Sequence, residues 1–394
     1  MPPVSADAQV SVQGVQIPRS SIDPAGFYKG TSRQRFLEKS ISSFAGLGYT
    51  DSFTIKQAGI IAAIDINVVG TVVATLGTGA CATTARWPHD LIKAIRFSAN
   101  GVNNIINVSG GKLQVHRFME TGDISDKGIA QGANAASPGT TFYTGSLSLG
   151  SEAWGVGSNV TAIGAGTYNF DLTYRLPVAF DLVKLLGAVF AQTSSTSLDI
   201  GIDWNTSANL FTLTGTATMV VSAAVYTEGI VFSIPRNSNG DPIIPNLQAF
   251  HSLVQYNDFG VGQGAYESTL MGTGVGKRLL RAYWQLWNGA APQTPVILNE
   301  TNFGQCGWRF GGNETPEAFQ TGRTLRMWQE RLYNTDIANL FGFGCMDFSS
   351  QWAMRDSIDE ATATNLRLLV TPLNSLTTPV LEVVQESLMS GSAA

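Results

Sequence analysis

Three histidines carry whatever metal or proton chemistry is open to this 394-residue chain: His89, His116 and His251. They are widely separated, and none forms the His-x-x-x-His pair that sets two imidazoles on one helix face. No metal and no cofactor are therefore expected. Cys81, Cys306 and Cys345 are odd in number and match neither a zinc spacing nor a disulfide framework. They read as buried free thiols made in a reducing compartment. No Gly-x-Ser-x-Gly elbow supports a serine nucleophile. Gly272-Thr-Gly-Val-Gly-Lys277-Arg278 lacks the leading glycine of a phosphate loop, and Arg278 stands where a hydroxyl residue is required. Gly260-Val-Gly-Gln-Gly264 is no stronger, and both read as loops. No catalytic residue is assigned, and the chain reads as a non-enzyme.

The elements that would have to position any such chemistry are mostly strands. Phe170, Leu172, Tyr174 and Leu176 alternate with polar residues, the period of a half-buried strand. Pro177 ends it, and Asp181–Phe190 then reads as a short buried helix with Asp181 as N-cap. Leu198, Ile200, Ile202 and Trp204 form the next strand. Phe53–Ile55, Ile60–Val73, the run ending at Ile95 and Phe97, Leu210–Leu213 and Met219–Tyr226 also read as strands. Asn100-Gly101 is a hairpin turn leading to Ile105, Ile106 and Val108. Ser109-Gly110-Gly111 reads as another turn. Beyond it Val115 and His116 alternate in a strand, with His116 facing outward.

The theme recurs after residue 250. Arg281–Trp287, Pro295–Asn299 and Cys306–Phe310 read as strands, followed by a helix over Pro316–Leu332 capped by Thr315. Leu340–Phe348, Leu366–Val370 and Val380–Val384 are further strands. Between the halves, residues 233–250 hold three prolines and an Asn-Gly turn, the composition of a connector. At the other end, residues 1–30 read as an extended arm. Residues 32–45 read as an amphipathic helix of basic character, with Arg33, Arg35 and Lys39 beside Phe36, Leu37, Ile41 and Phe44.

Charged residues make up 13% of the chain against 42 glycines. So few charges suit a surface consumed in subunit contacts. A net charge of −5 argues against binding nucleic acid by phosphate neutralisation. The N-terminus has no basic region followed by an apolar core, so no signal peptide is expected.

Two all-β halves of this size, each with an inserted helix, resemble the double jelly-roll major capsid proteins of tailless, membrane-containing icosahedral phages of the tectivirus type. The resemblance rests on Trp87-Pro-His-Asp-Leu-Ile-Lys-Ala-Ile-Arg-Phe97, on Leu172-Thr-Tyr-Arg-Leu-Pro-Val-Ala-Phe180 with the segment to Phe190, on Ile234–Gln248, and on Pro316–Leu332. These pieces run in the family's order over most of residues 53–384. The Gly-rich stretches 121–165 and 257–276 match nothing in it and would be tower or surface loops.

The resemblance implies an all-β fold with minor helices, two tandem eight-stranded jelly rolls. Its boundaries would be an arm and helix at 1–48, a first jelly roll at 49–233, a connector at 234–250, a second jelly roll at 251–385 and a flexible tail at 386–394. It implies a virion coat protein, made in the host cytoplasm. The partners would be two further copies in a trimer, neighbouring capsomers, penton and minor capsid proteins, and an internal viral membrane. Arg33, Arg35, Phe36, Leu37, Lys39, Ile41 and Phe44 would then contact a neighbouring capsomer or the membrane. The rival reading is a β-sandwich that binds or hydrolyses carbohydrate, with Trp154, Trp284 and Trp287 as a sugar platform and Asp199 and Asp203 as acids. An outer-membrane porin is disfavoured, because it would need a signal peptide and no buried helices.

Overall fold

The computed structural model describes residues 9–12, 15–18, 21–121, 162–192, 197–245, 247, 249–270, 276–291, 293–310, 314–333, 342–349, 356–360 and 365–390. Trp154, most of the Gly-rich stretch 121–165 and the pseudo-phosphate loop at 272–275 lie outside them.

Sixteen strands build two sandwiches of the same design. In the first, β1 (Arg33–Ile41), β2 (Thr50–Thr54), β3 (Ile60–Thr75), β4 (Ile92–Ala99), β5 (Val102–Val108), β6 (Gly166–Leu176), β7 (Leu198–Trp204) and β8 (Thr218–Phe232) form two sheets. Their orders are β1-β8-β3-β6 and β2-β7-β4-β5, antiparallel throughout. The second sandwich uses β9 (Ala249–Asp258), β10 (Tyr266–Thr269), β11 (Lys277–Asn288), β12 (Cys306–Phe310), β13 (Glu314–Phe319), β14 (Gly344–Asp347), β15 (Arg367–Val370) and β16 (Val380–Ser390). Its sheets are β9-β16-β11-β14 and β10-β15-β12-β13. Each label in the second pair is the first plus eight, so one jelly-roll topology occurs twice. β10 comes from a stretch expected to be surface loop, and β16 continues to Ser390, into the expected tail.

Both sandwiches insert a helix between the fifth and sixth strands: α1 (Gly110–Thr121) and α2 (Gly322–Tyr333). The repeat was legible, but the first helix had been expected one connection too late. Residues 181–190 make turns instead. Asp181 Oδ1 accepts from the amides of Val183 and Lys184 as a cap would. Leu185 at φ +54° and Gly187 at φ +83° then redirect the chain, and Val189–Phe190 pairs with β3. Ser109-Gly110-Gly111, expected as a turn, instead starts α1: the Gly111 amide donates to Asp90 Oδ1 and the Lys112 amide to Ser109 Oγ. The segment beyond it is buried on nearly every side, and strand and helix periods are indistinguishable in such a run. In the second half, Thr315-Pro316-Glu317 lies in β13. The helix starts at Gly322, seven residues after Thr315, and Thr321 Oγ1 just before it accepts from the Thr324 amide.

The N-terminal segment also differs from expectation. Pro24–Gly30 is a helix capped by Asp23, and its Phe27 is fully buried against Ile60, Ile244 and Leu247. Residues 33–41 are strand β1 rather than a helix. Pairing along β8 outweighs the helical spacing of their apolar residues.

The two sandwiches join edge to edge. β5, an edge of one sheet, pairs in parallel with β9 of the other through Ile106–Leu253 and Asn107–Val254, giving one continuous sheet. Gly110 sits at this junction, and a β-carbon there would lie 2.4 Å from the His89 carbonyl oxygen and 2.6 Å from the Tyr174 ring. Gly110→Ala is expected to destabilise the protein by about 1–3 kcal/mol, measured as a lower thermal unfolding midpoint. An unchanged midpoint would contradict the close approach.

Candidate functional site

The sheet β9-β16-β11-β14 is buried on both faces, and this sets up a charged layer inside the molecule. On β11, Ala282, Trp284 and Leu286 enter the core of the second sandwich. The intervening Arg281, Tyr283, Gln285 and Trp287 point toward the first. On β16, Leu381 and Val383 likewise face inward, whereas Val380, Glu382, Val384 and Glu386 face the first sandwich. Tyr283, Trp287 and Val384 belong to the same apolar cluster as Ile95, Phe118 and Leu172 of the first sandwich. Alternation, normally a sign of one wet face, here separates two dry ones.

Helix α1 covers this surface, and its polar side chains meet two glutamates. Lys112 Nζ donates to Glu382 Oε2 and to Gln285 Oε1, each at 2.6 Å. The Arg86 guanidinium donates to Glu382 Oε1 at 2.9 Å and to Asp90 at 2.9 Å, and stacks 3.9 Å over the Trp287 ring. Trp287 Nε1 donates to Glu382 Oε2. Burial opposes ionisation of Glu382, but Arg86 and Lys112 outweigh it and bring its carboxyl down to about 2. A polar cleft lined by Arg86, Lys93, Asn107, Gln255 and Asn257 opens beside this cluster.

The second glutamate, Glu386, is fully buried. Its Oε1 lies 3.1 Å from His116 Nε2 on α1 and 2.8 Å from His251 Nε2 on β9, and its Oε2 lies 2.8 Å from Arg281 Nε. His251 Nδ1 is 2.6 Å from the Pro177 carbonyl oxygen. Gly187 passes so close to the His251 backbone that a β-carbon would lie 2.6–3.0 Å from it. The segment expected as a helix thus runs as turns over His251. Burial would hold Glu386 neutral, but Arg281 and His116 carry its carboxyl well below the usual range. His116 is raised: desolvation works against its charged form, and Glu120 and Glu386 overcome it. His89 is lowered by burial to about 3.

The structure therefore brings together groups that sequence spacing kept apart. His116, expected to face outward from a strand, is buried on a helix. The one available signal was in β16, where Glu382 and Glu386 stand at an even spacing among Val380, Leu381, Val383, Val384 and Leu388. The three cysteines are buried and free, as expected.

The proposed contact residues of the N-terminal segment divide by strand face. Phe36 and Ile41 pack partly on the first core, and Phe44 is buried in it. Arg35 pairs with Asp65 at 2.7 Å. Arg33, Leu37 and Lys39 are exposed, Leu37 at 64%. The sugar-platform reading loses its geometry, because Trp284 and Trp287 are buried at 0% and 2% exposure. Asp203 is held by Arg96 and Thr50 on the outer face of β7, with Asp199 exposed beside it.

No protein-family model and no curated protein matches the sequence. Solved structures do. The crystal structure titled STIV MCP superposes with a TM-score of 0.62 at 13% identity, covering 91% of this chain and 97% of that one. The Faustovirus major capsid protein gives 0.54 at 9% identity, covering 91% and 90%. The PBCV-1 virus capsid gives 0.51 at 12%, covering 92% and 95%. The fold is the double jelly roll. At these identities the double jelly-roll likeness is one of architecture, carried by the two matching strand orders and their side-by-side fusion.

Glu382 predicts an acid response. Its folded pKa lies below the ordinary carboxylate value of about 4.5, so its stabilisation is present above that pH and is lost as pH falls toward about 2. Unfolding midpoints measured across this window should fall steeply. Glu382→Gln strands Arg86 and Lys112 and should cost about 3–5 kcal/mol at neutral pH, while flattening the acid limb. An unaltered acid limb in the variant would contradict the assignment.

Proposed function

We propose that this chain is the major coat subunit of an icosahedral virion. The observation that carries the reading is the repetition of one jelly roll in two copies fused side by side through a shared sheet. Such a chain is a ready-made pair of equivalent building blocks. Three copies around a threefold axis would present six sandwiches, a near-hexagonal tile able to cover a flat facet. The major capsid proteins that share the fold support the reading.

The low charge content fits this role, since obligate contacts of trimers and facets would bury roughly 2,000–5,000 Å² each. In this reading the outward side of β1, with Arg33, Leu37 and Lys39, faces a neighbouring capsomer or an internal membrane. Penton and minor capsid proteins would complete the shell, assembled in the host cytoplasm. The role is geometric, and no residue is assigned a catalytic step.

Light scattering on the purified protein should give a mass near three times the 42.0 kDa chain. A stable monomer would sink the proposal. Because β1 is woven into the first sandwich, the arm deletion that tests assembly must stop before it. Removing residues 1–20 should leave trimers intact and abolish shell formation, scored by electron microscopy. Normal particles from the deletion would refute the role of the arm.

A further inference from the structure

We infer that His116, His251 and Glu386 form a binding site for one divalent transition cation, zinc by preference, pinning the first sandwich to the second, with Glu120 beside His116. The inference is independent of the coat-protein reading, since it concerns how the two halves of one chain are held.

Three potential ligand atoms converge in a region closed to solvent. His116 Nε2, His251 Nε2 and a Glu386 carboxylate oxygen all lie within 4.8 Å of one another. The separations are 2.8 Å from His251 to Glu386, 3.1 Å from His116 to Glu386 and 3.5 Å from His116 to Glu120 Oε1. A tetrahedral zinc with bonds of about 2.0–2.1 Å has ligand-to-ligand edges of ~3.3 Å. The two edges that meet at Glu386 lie just below that value. Glu120 Oε1 is buried and has no hydrogen-bond partner.

The hydrogen-bond inventory points the same way. His251 Nδ1 faces the Pro177 carbonyl, which only accepts, so Nδ1 carries the proton. In a neutral ring Nε2 is then a lone pair, and it is aimed at a carboxylate oxygen that is itself an acceptor. The backbone carbonyl on Nδ1 is the usual outer partner of a metal-bound histidine. The other Glu386 oxygen, Oε2, lies 2.8 Å from Arg281 Nε.

Two imidazoles and one carboxylate suit zinc better than magnesium or calcium, which prefer all-oxygen sites of higher coordination. One ligand comes from α1 of the first sandwich and two come from β9 and β16 of the second.

The test uses untagged full-length protein produced with zinc available. Mass spectrometric metal analysis should find one zinc per chain. Stripping with dipicolinate should lower the thermal midpoint, and added Zn²⁺ should restore it. Cobalt substituted for zinc should give the intense visible absorption of a tetrahedral site. Glu120→Gln, at the partly exposed end of α1, should keep the fold and weaken zinc binding roughly 10–100-fold. Folded protein with negligible zinc, no midpoint shift on stripping or zinc addition and no cobalt spectrum would overturn the inference.

Discussion

A sheet with no wet face must still satisfy two glutamates, and the rest of the molecule is arranged around that requirement. Glu382 and Glu386 project from β16 toward the first sandwich rather than into water. Burying a carboxylate unpaired would cost several kcal/mol. Every group that compensates Glu382 from across the boundary, Lys112 and Arg86, belongs to the first sandwich, as does His116 beside Glu386. The second sandwich thus carries the acids and the first carries most of the answering bases. Neither presents a satisfied surface without the other.

This division explains why the parallel β5–β9 junction needs only two residue pairs. The backbone ladder aligns the sandwiches, and the charged layer fixes their register. Apolar burial supplies the area: one continuous cluster runs from Ile95 and Phe118 to Tyr283, Trp287 and Val384. A dry contact of this kind would also slide more freely than one keyed by paired charges, since apolar contact is not directional. For the proposed coat subunit, which would repeat identically around a shell, a fixed angle between its halves would be a functional property.

Much of this architecture was legible in the sequence, and the misreadings share a cause. Strands with one wet face, such as β7 and β8, stood out by alternation. The segment around His116 did not, because it is buried on all sides and period carries no information there. The same ambiguity placed a helix at 181–190, where Leu185 and Gly187 turn the chain, and β1 read as helical because Leu37, Ile41 and Phe44 fall at helical spacing. The histidine–glutamate cluster was invisible for another reason. Its members come from a helix and two strands in different parts of the chain, so only the fold puts them together. Glu382 and Glu386, set among Val380, Leu381, Val383, Val384 and Leu388, were the one local sign that something basic must meet them.

The central claim is that the fused sandwiches act as two equivalent corners of a hexagonal tile. Electron cryo-microscopy of the purified assembly tests it most directly. The account predicts a threefold particle with six sandwiches around the axis, paired within each chain at the angle set by the β5–β9 sheet. Particles lacking threefold symmetry, or chains whose two sandwiches adopt variable angles, would contradict it.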